Sequence, residues 1–176
     1  MSGHNKFSKI KHQKAKNDAQ KSKVFGKLVR FITVEAKKSG GNVKSPGLAL
    51  AIEKAKKENM PNDTIDRAIK KATTDNSAQM ESIVYEAYGP GGVAILIDVL
   101  TDNRNKAVQE VKAILAKHDL SIASPGSASW AFTKGEEGLV PNMTMPLEDS
   151  DIEKLQAVVE ALEENDEVQE VYTNAE

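Results

Sequence analysis

Residues 93–118 read VAILIDVLTDNRNKAVQEVKAILAKH, and this stretch decides the fold. Its first eight positions are apolar apart from Asp98, the pattern of a strand covered on both faces or central in a sheet. Thr101, Asp102 and Asn103 follow, and short polar side chains of this kind cap the free N–H groups of a starting helix. Ala107, Val108, Val111, Ile114 and Leu115 then recur at steps of three and four, which predicts a helix over 104–118 with one apolar face.

Working outward toward the C-terminus, Ala128, Trp130 and Phe132 alternate and predict a strand over 127–134. Residues 139–147 read as an edge strand, because Pro141 and Pro146 cannot donate to a central ladder. Ser150-Asp151-Ile152-Glu153 has the spacing of a capping box. It opens a helix to about residue 164 with Ile152, Leu155, Val158, Val159 and Leu162 inward. A strand over 168–172 follows. From residue 93 the order is β-α-β-β-α-β, the ferredoxin-like split βαβ pattern. It predicts a four-stranded antiparallel sheet with two helices on one face. An extra strand, 83–88, leads into it through the Gly89-Pro90-Gly91-Gly92 turn.

Toward the N-terminus the period changes to that of helices alone. Phe25, Leu28, Val29, Ile32 and Ala36 line one face of a helix over 17–38, stopped by Ser39-Gly40-Gly41. A second helix spans 46–59, with Ser45 as cap and Pro46 in its first turn. Asn59-Met60-Pro61 breaks it, and Asn62 caps a third helix to about residue 72. Helices this short need mutual packing. The fold class is therefore α+β: a three-helix bundle over 1–72, a polar linker over 73–81 and a ferredoxin-like domain over 82–176.

Charge divides along the same line. The 176 residues carry a net charge of only −2, yet residues 1–71 hold 16 Lys and 2 Arg against 6 acids, a net of +12. Residues 72–176 carry −14. Within residues 1–38 there are 11 basic and 2 acidic residues, and a folded domain gains nothing from that self-repulsion. A solvated lysine surface is the bland explanation. Neutralising a phosphate backbone is the functional one, since each Lys or Arg on a phosphate releases condensed counterions. The expected contacts are Lys6, Lys9, Lys11, His12, Lys14 and Lys16 in the arm, and Lys23, Lys27, Arg30 and Lys37 on the first helix, opposite its apolar face. Amphipathic membrane binding ranks lower, because the apolar face is small and has helical partners.

Other chemistries find little support. Without cysteine there is no disulfide, thiol nucleophile, Fe–S cluster or thiolate zinc site. His4, His12 and His118 have no metal-ligand spacing. The glycines at 89–92 lack the G-K-[ST] ending of a phosphate loop. No cofactor, metal or catalytic residue is expected. The longest apolar run, 93–97, is too short to cross a bilayer, and the basic start lacks the apolar core of a secretory signal. A cytoplasmic protein is expected. One junction has two readings. Asp102, Asn103, Arg104 and Asn105 form either a simple helix cap or a tip whose free N–H groups and guanidinium touch RNA or a peptide.

Several motifs in one order resemble the YebC/PmpR family, which includes the mitochondrial translational activator of cytochrome c oxidase. They are Gly3-His4-Asn5-Lys6-Phe7, Ile10-Lys11-His12-Gln13-Lys14, Ile52-Glu53-Lys54-Ala55-Lys56, Asn59-Met60-Pro61 and Ile65-Asp66-Arg67-Ala68-Ile69. They continue with Tyr85-Glu86-Ala87-Tyr88-Gly89-Pro90-Gly91-Gly92, Thr101-Asp102-Asn103-Arg104-Asn105, Gly126-Ser127 and Val168-Gln169-Glu170-Val171-Tyr172. The resemblance implies a non-enzymatic cytoplasmic factor. Some members are described as DNA-binding transcriptional regulators, and others look like translation factors acting on stalled ribosomes. A typical member carries an extra α/β module between the positions of Phe132 and Leu139, where this chain has only residues 133–138. Exposed turns tolerate such deletions.

Two functions share the electrostatic footprint: a translation factor on ribosomal RNA, and a DNA-binding transcriptional regulator. The bundle is rich in Lys, a point charge for phosphate, and poor in Arg, the better reader of base edges. That favours RNA and the ribosome. An enzyme with a site around Asp102 or His118 would need convergent titratable groups that the sequence does not offer.

Overall fold

The computed structural model describes residues 18–74, 80–136 and 138–176. Three helices come first: α1 (Asp18–Ser39), α2 (Pro46–Lys57) and α3 (Asn62–Thr74). α1 packs against both of the others, which touch each other much less. Their shared core is Ile32, Ala36, Leu48, Ala51, Ala55, Met60, Ile65, Ala68 and Ala72. Asn59 ends α2 in the left-handed region at φ 61°, a conformation Asn tolerates better than most residues. Ser45 precedes α2 with extended backbone, but its hydroxyl makes no capping bond, so Pro46 in the first turn carries the start. Asn62 lies inside α3, and the Pro61 carbonyl accepts from Thr64 and Ile65 in its place.

The remainder is built on β1 (Glu81–Tyr88), β2 (Ala94–Thr101), α4 (Arg104–Lys117), β3 (Ile122–Ala123), β4 (Phe132–Lys134), β5 (Leu139–Pro141), α5 (Asp149–Glu163) and β6 (Val168–Thr173). The main sheet has the order β3-β1-β2-β6, and every pair in it is antiparallel. β1 and β2 pair along their whole length, from Glu81 opposite Thr101 to Tyr88 opposite Ala94. The turn between them needs Gly91: its φ is +71°, and a Cβ there would meet the Leu147 side chain at 2.5 Å.

Strand parity assigns the two faces. Ile95, Ile97 and Val99 point to the face covered by α4 and α5, in a core with Val111, Leu115, Leu155, Val158 and Leu162. Ala94 and Leu96 point to the other face, where Ala128, Ala131 and Phe132 cover them.

The α+β class and the antiparallel sheet with two helices on one face agree with the sequence reading, while the membership of the sheet differs. The leading strand β1 lies inside the sheet, between β2 and the two-residue β3. The strand expected over 127–134 is a short 3-10 turn, Ser129–Ala131, followed by β4. That over 139–147 shrinks to β5, and the two form a separate hairpin. The cause is Glu86. Its buried carboxylate accepts from the N–H groups of Gly126 (2.6 Å), Ala128 (2.9 Å) and Ser129 (2.7 Å), curling a segment that alternation alone would extend. Likewise the expected capping box does not form. Ser150 lies within α5, and Glu148 is the residue before it.

Candidate nucleic-acid interface

Lys23, Lys27 and Arg30 follow one another at i, i+4 and i+7, so they stack along one face of α1. The sequence reading turns that face outward. In the structure it lies against the acidic half. Lys23 Nζ donates to the Glu164 carbonyl at 3.0 Å and pairs with its carboxylate at 2.6 Å. Lys27 Nζ donates to the Glu163 carbonyl, and Arg30 donates to the Leu100 carbonyl at 3.3 Å.

The reason lies at the end of α5. A helix C-terminus carries partial negative charge and unsatisfied carbonyls, and cations there are favourable. α5 has no basic residue in its last turn and runs into Glu163, Glu164, Asp166 and Glu167. α1 supplies from another part of the chain the lysines that α5 lacks. Burial lowers the Lys27 pKa, and the nearby Glu163 and Glu170 carboxylates oppose that shift.

The same junction holds Asp98. It sits on β2 directly across from Glu170 of β6. Burial, and then repulsion from Glu170, raise its carboxyl above the usual range, while Lys54 and Lys38 of the helical half act the other way. Lys54 also lies over the Phe31 ring, 5.7 Å from its centroid.

The other expected contacts divide. Lys6, Lys9, Lys11, His12, Lys14 and Lys16 lie outside the described residues. Lys37 is half-buried in the last turn of α1. On the outer surface of the helical half, Lys21, Lys44, Lys56, Arg67, Lys70 and Lys71 are exposed.

At the strand-to-helix junction the geometry is that of a cap. Asn103 Oδ1 accepts from the Lys106 N–H at 3.1 Å. The buried Thr101 hydroxyl bonds both the N–H and the carbonyl of Asn103. The Arg104 guanidinium is drawn to Glu81 at 3.1 Å. Asp102 and Asn105 are exposed beside it.

Glu86 was not among the expected functional residues. Burial works against its charge, yet the N–H donors of Gly126, Ala128 and Ser129 outweigh that and hold its carboxyl below the usual range. The signal in the sequence is a lone acid among the apolar residues of 83–88. The loop it anchors presents Trp130, 57% exposed, whose indole donates to the Ser127 carbonyl at 2.8 Å, an acceptor shared with the Tyr88 hydroxyl.

An open groove of about 860 Å³ lies between α2 and α3, lined by Val43, Ile52, Lys56, Ile65 and Ile69 among others, away from both Asp102 and His118. Among the described residues, no group of three or more His, Asp or Glu is placed to hold a metal ion. Among them also, no helix is long and apolar enough to cross a membrane.

Comparison with known proteins bears on both halves. The TACO1/YebC protein N-terminal domain matches residues 5–75. The TACO1/YebC second and third domain matches residues 80–137 and 133–175. A "Probable transcriptional regulatory protein" of Trichlorobacter lovleyi is 47% identical over 98% of this chain and 70% of its own length. One from Petrotoga mobilis is 45% identical, with the same coverage. A relative in Thermosipho africanus is 36% identical over 237 aligned positions that take in all of this chain and 94% of that protein. Its extra length accords with a shortened segment in this chain, and the second family match restarts at residue 133, at the β4–β5 hairpin. A crystal structure of a conserved hypothetical protein from Aquifex aeolicus superposes with a TM-score of 0.82 at 32% identity, covering 95% of each chain. With matches running through the helical half and both parts of the α/β half, the chain belongs to the TACO1/YebC family.

Proposed function

We propose that this chain is a non-enzymatic, cytoplasmic regulatory factor that binds nucleic acid through its basic helical half, with a boundary near residues 73–81. The observation that carries this is the segregation of charge: +12 over residues 1–71 against −14 over the remainder. Phosphate contact through Lys6, Lys9, Lys11, His12, Lys14, Lys16 and Lys37 would supply sequence-independent affinity with a steep salt dependence. The exposed lysines of α2 and α3 extend that surface.

The lysine-rich composition supports ribosomal RNA as the target and assistance to stalled ribosomes as the role. The exposed Asp102, Asn103, Arg104 and Asn105 form a second tip for such a partner. A DNA-binding transcriptional regulator is the other reading, favoured by relatives named probable transcriptional regulatory proteins. Co-sedimentation with ribosomes at low and high salt, run beside gel shifts on promoter DNA, tests both. Salt-sensitive pelleting without a sequence-selective shift is the expected result. A specific footprint on DNA would replace the ribosomal reading, and binding to neither would overturn the nucleic-acid reading as a whole.

A further inference from the structure

The cations at the junction raise a question of competition. Lys23, Lys27 and Arg30 have the spacing of a phosphate-gripping face, yet they are spent on the carbonyls of Glu163, Glu164 and Leu100 and on the Glu164 carboxylate. These acceptors are a row of oxygens with added negative charge, the same chemistry that a phosphate backbone presents. Hydrogen bonds and one ion pair join the halves here; Lys23 and Glu164 remain 38% and 66% exposed, and Lys27 and Arg30 are partly buried. An exposed pair such as Lys23–Glu164 is weak, and relative motion is the default for domains joined without a large apolar interface.

We propose that the acidic end of α5 is an internal competitor for nucleic acid. It occupies Lys23 and Lys27 in the closed arrangement while the Leu100 carbonyl of β2 beside it holds Arg30, and a polyanion gains those three cations only by displacing the α/β half. This rests on the nucleic-acid reading above and adds to it a closed and an open state. A ligand shifts such an equilibrium only through its different affinity for the two states, and here the difference is three additional cations.

The test uses the full chain and a fluorescent oligouridine of about twenty nucleotides, a length that spans a typical single-strand site. Its affinity is read by anisotropy for wild type, for the double variant Glu163→Gln with Glu164→Gln, and for a control with equal charge change, Glu136→Gln with Glu153→Gln. Both control positions are exposed and away from the junction. The junction variant should bind about two- to fivefold more tightly than the control, the range set by weak exposed ion pairs. Equal gains in both variants, or none at the junction, would overturn the proposal while leaving nucleic-acid binding intact. Absence of binding by every protein would overturn both.

A second readout needs no change at the junction. The sequence has no cysteine, so Val43→Cys with Ala113→Cys places one dye on each half, both at exposed positions. Energy transfer should fall as RNA is added and recover when the RNA is digested. Constant transfer at saturation would sink the proposal.

Discussion

In the helical half, the core of Ile32, Leu48, Met60 and Ile65 is completed by five alanines, at 36, 51, 55, 68 and 72. In the α/β half, the core between the sheet and its two helices has only three alanines among fifteen residues, and the rest are Val, Ile or Leu. Alanine lets helices approach closely but removes little apolar surface from water, whereas each fully buried Leu or Ile contributes about 1.5–3 kcal/mol. The same half that concentrates positive charge therefore has the thinner core to hold it. The difference teaches why α1 leans on α5: the contact offsets repulsion on one side and an uncompensated helix end on the other.

The comparison breaks most visibly at Leu48, which is fully buried. Leu48→Ala should cost about 2–5 kcal/mol and melt the helical half first. The single tryptophan, Trp130, reports on the other half. Far-UV circular dichroism should fall at a lower temperature than the change in tryptophan fluorescence. Coincident transitions would show that the halves unfold as one unit and that the contrast in their cores has no thermodynamic weight.

A smaller effect is expected at Glu86, inside the sturdier half. Glu86→Ala strips three N–H groups of their acceptor and should cost about 2–3 kcal/mol in chemical denaturation at pH 7. The wild-type carboxyl titrates below its unfolded value, so its contribution is complete above about pH 4.3 and is lost as pH falls through the lowered pKa. The deficit of the variant should accordingly narrow in acid. A deficit independent of pH would assign Glu86 a packing role only.

The mildest test sharpens the view of the junction. Asp98 has a raised pKa, so at neutral pH its charge opposes folding. Asp98→Asn should raise the melting temperature slightly at pH 7. The gain should vanish as pH falls below about 3.9, where the wild-type side chain is also neutral in both folded and unfolded chains. A loss of stability at pH 7 would mean that attraction to Lys38 and Lys54 outweighs burial and the repulsion from Glu170.

Much of the architecture was legible in the residues. Helical periods located α1 to α5 within a few positions, and the apolar run over 93–100 found β2, because those signals are local. What stayed hidden depends on partners distant in sequence. Ala128, Trp130 and Phe132 alternate like a strand, but Glu86, some 40 residues earlier, curls that segment. β3 has only two residues, too few for any period, and exists because β1 offers it an edge. Periodicity also located Lys23, Lys27 and Arg30 opposite the apolar face of α1. It carried no information that a second half would rest there, so the direction of that face was misread as outward.

The β4–β5 hairpin has one more consequence. Gly135 N–H meets the Gly138 carbonyl at 2.6 Å, so the two strands arrive side by side at their tip. Whatever is spliced there enters and leaves through neighbouring points, and the layers behind need not shift to accommodate it. Longer relatives carry additional chain, and the family match of this one is divided at that place. The tip is therefore a natural graft point, suited to carrying a reporter or a borrowed domain without re-engineering the scaffold beneath.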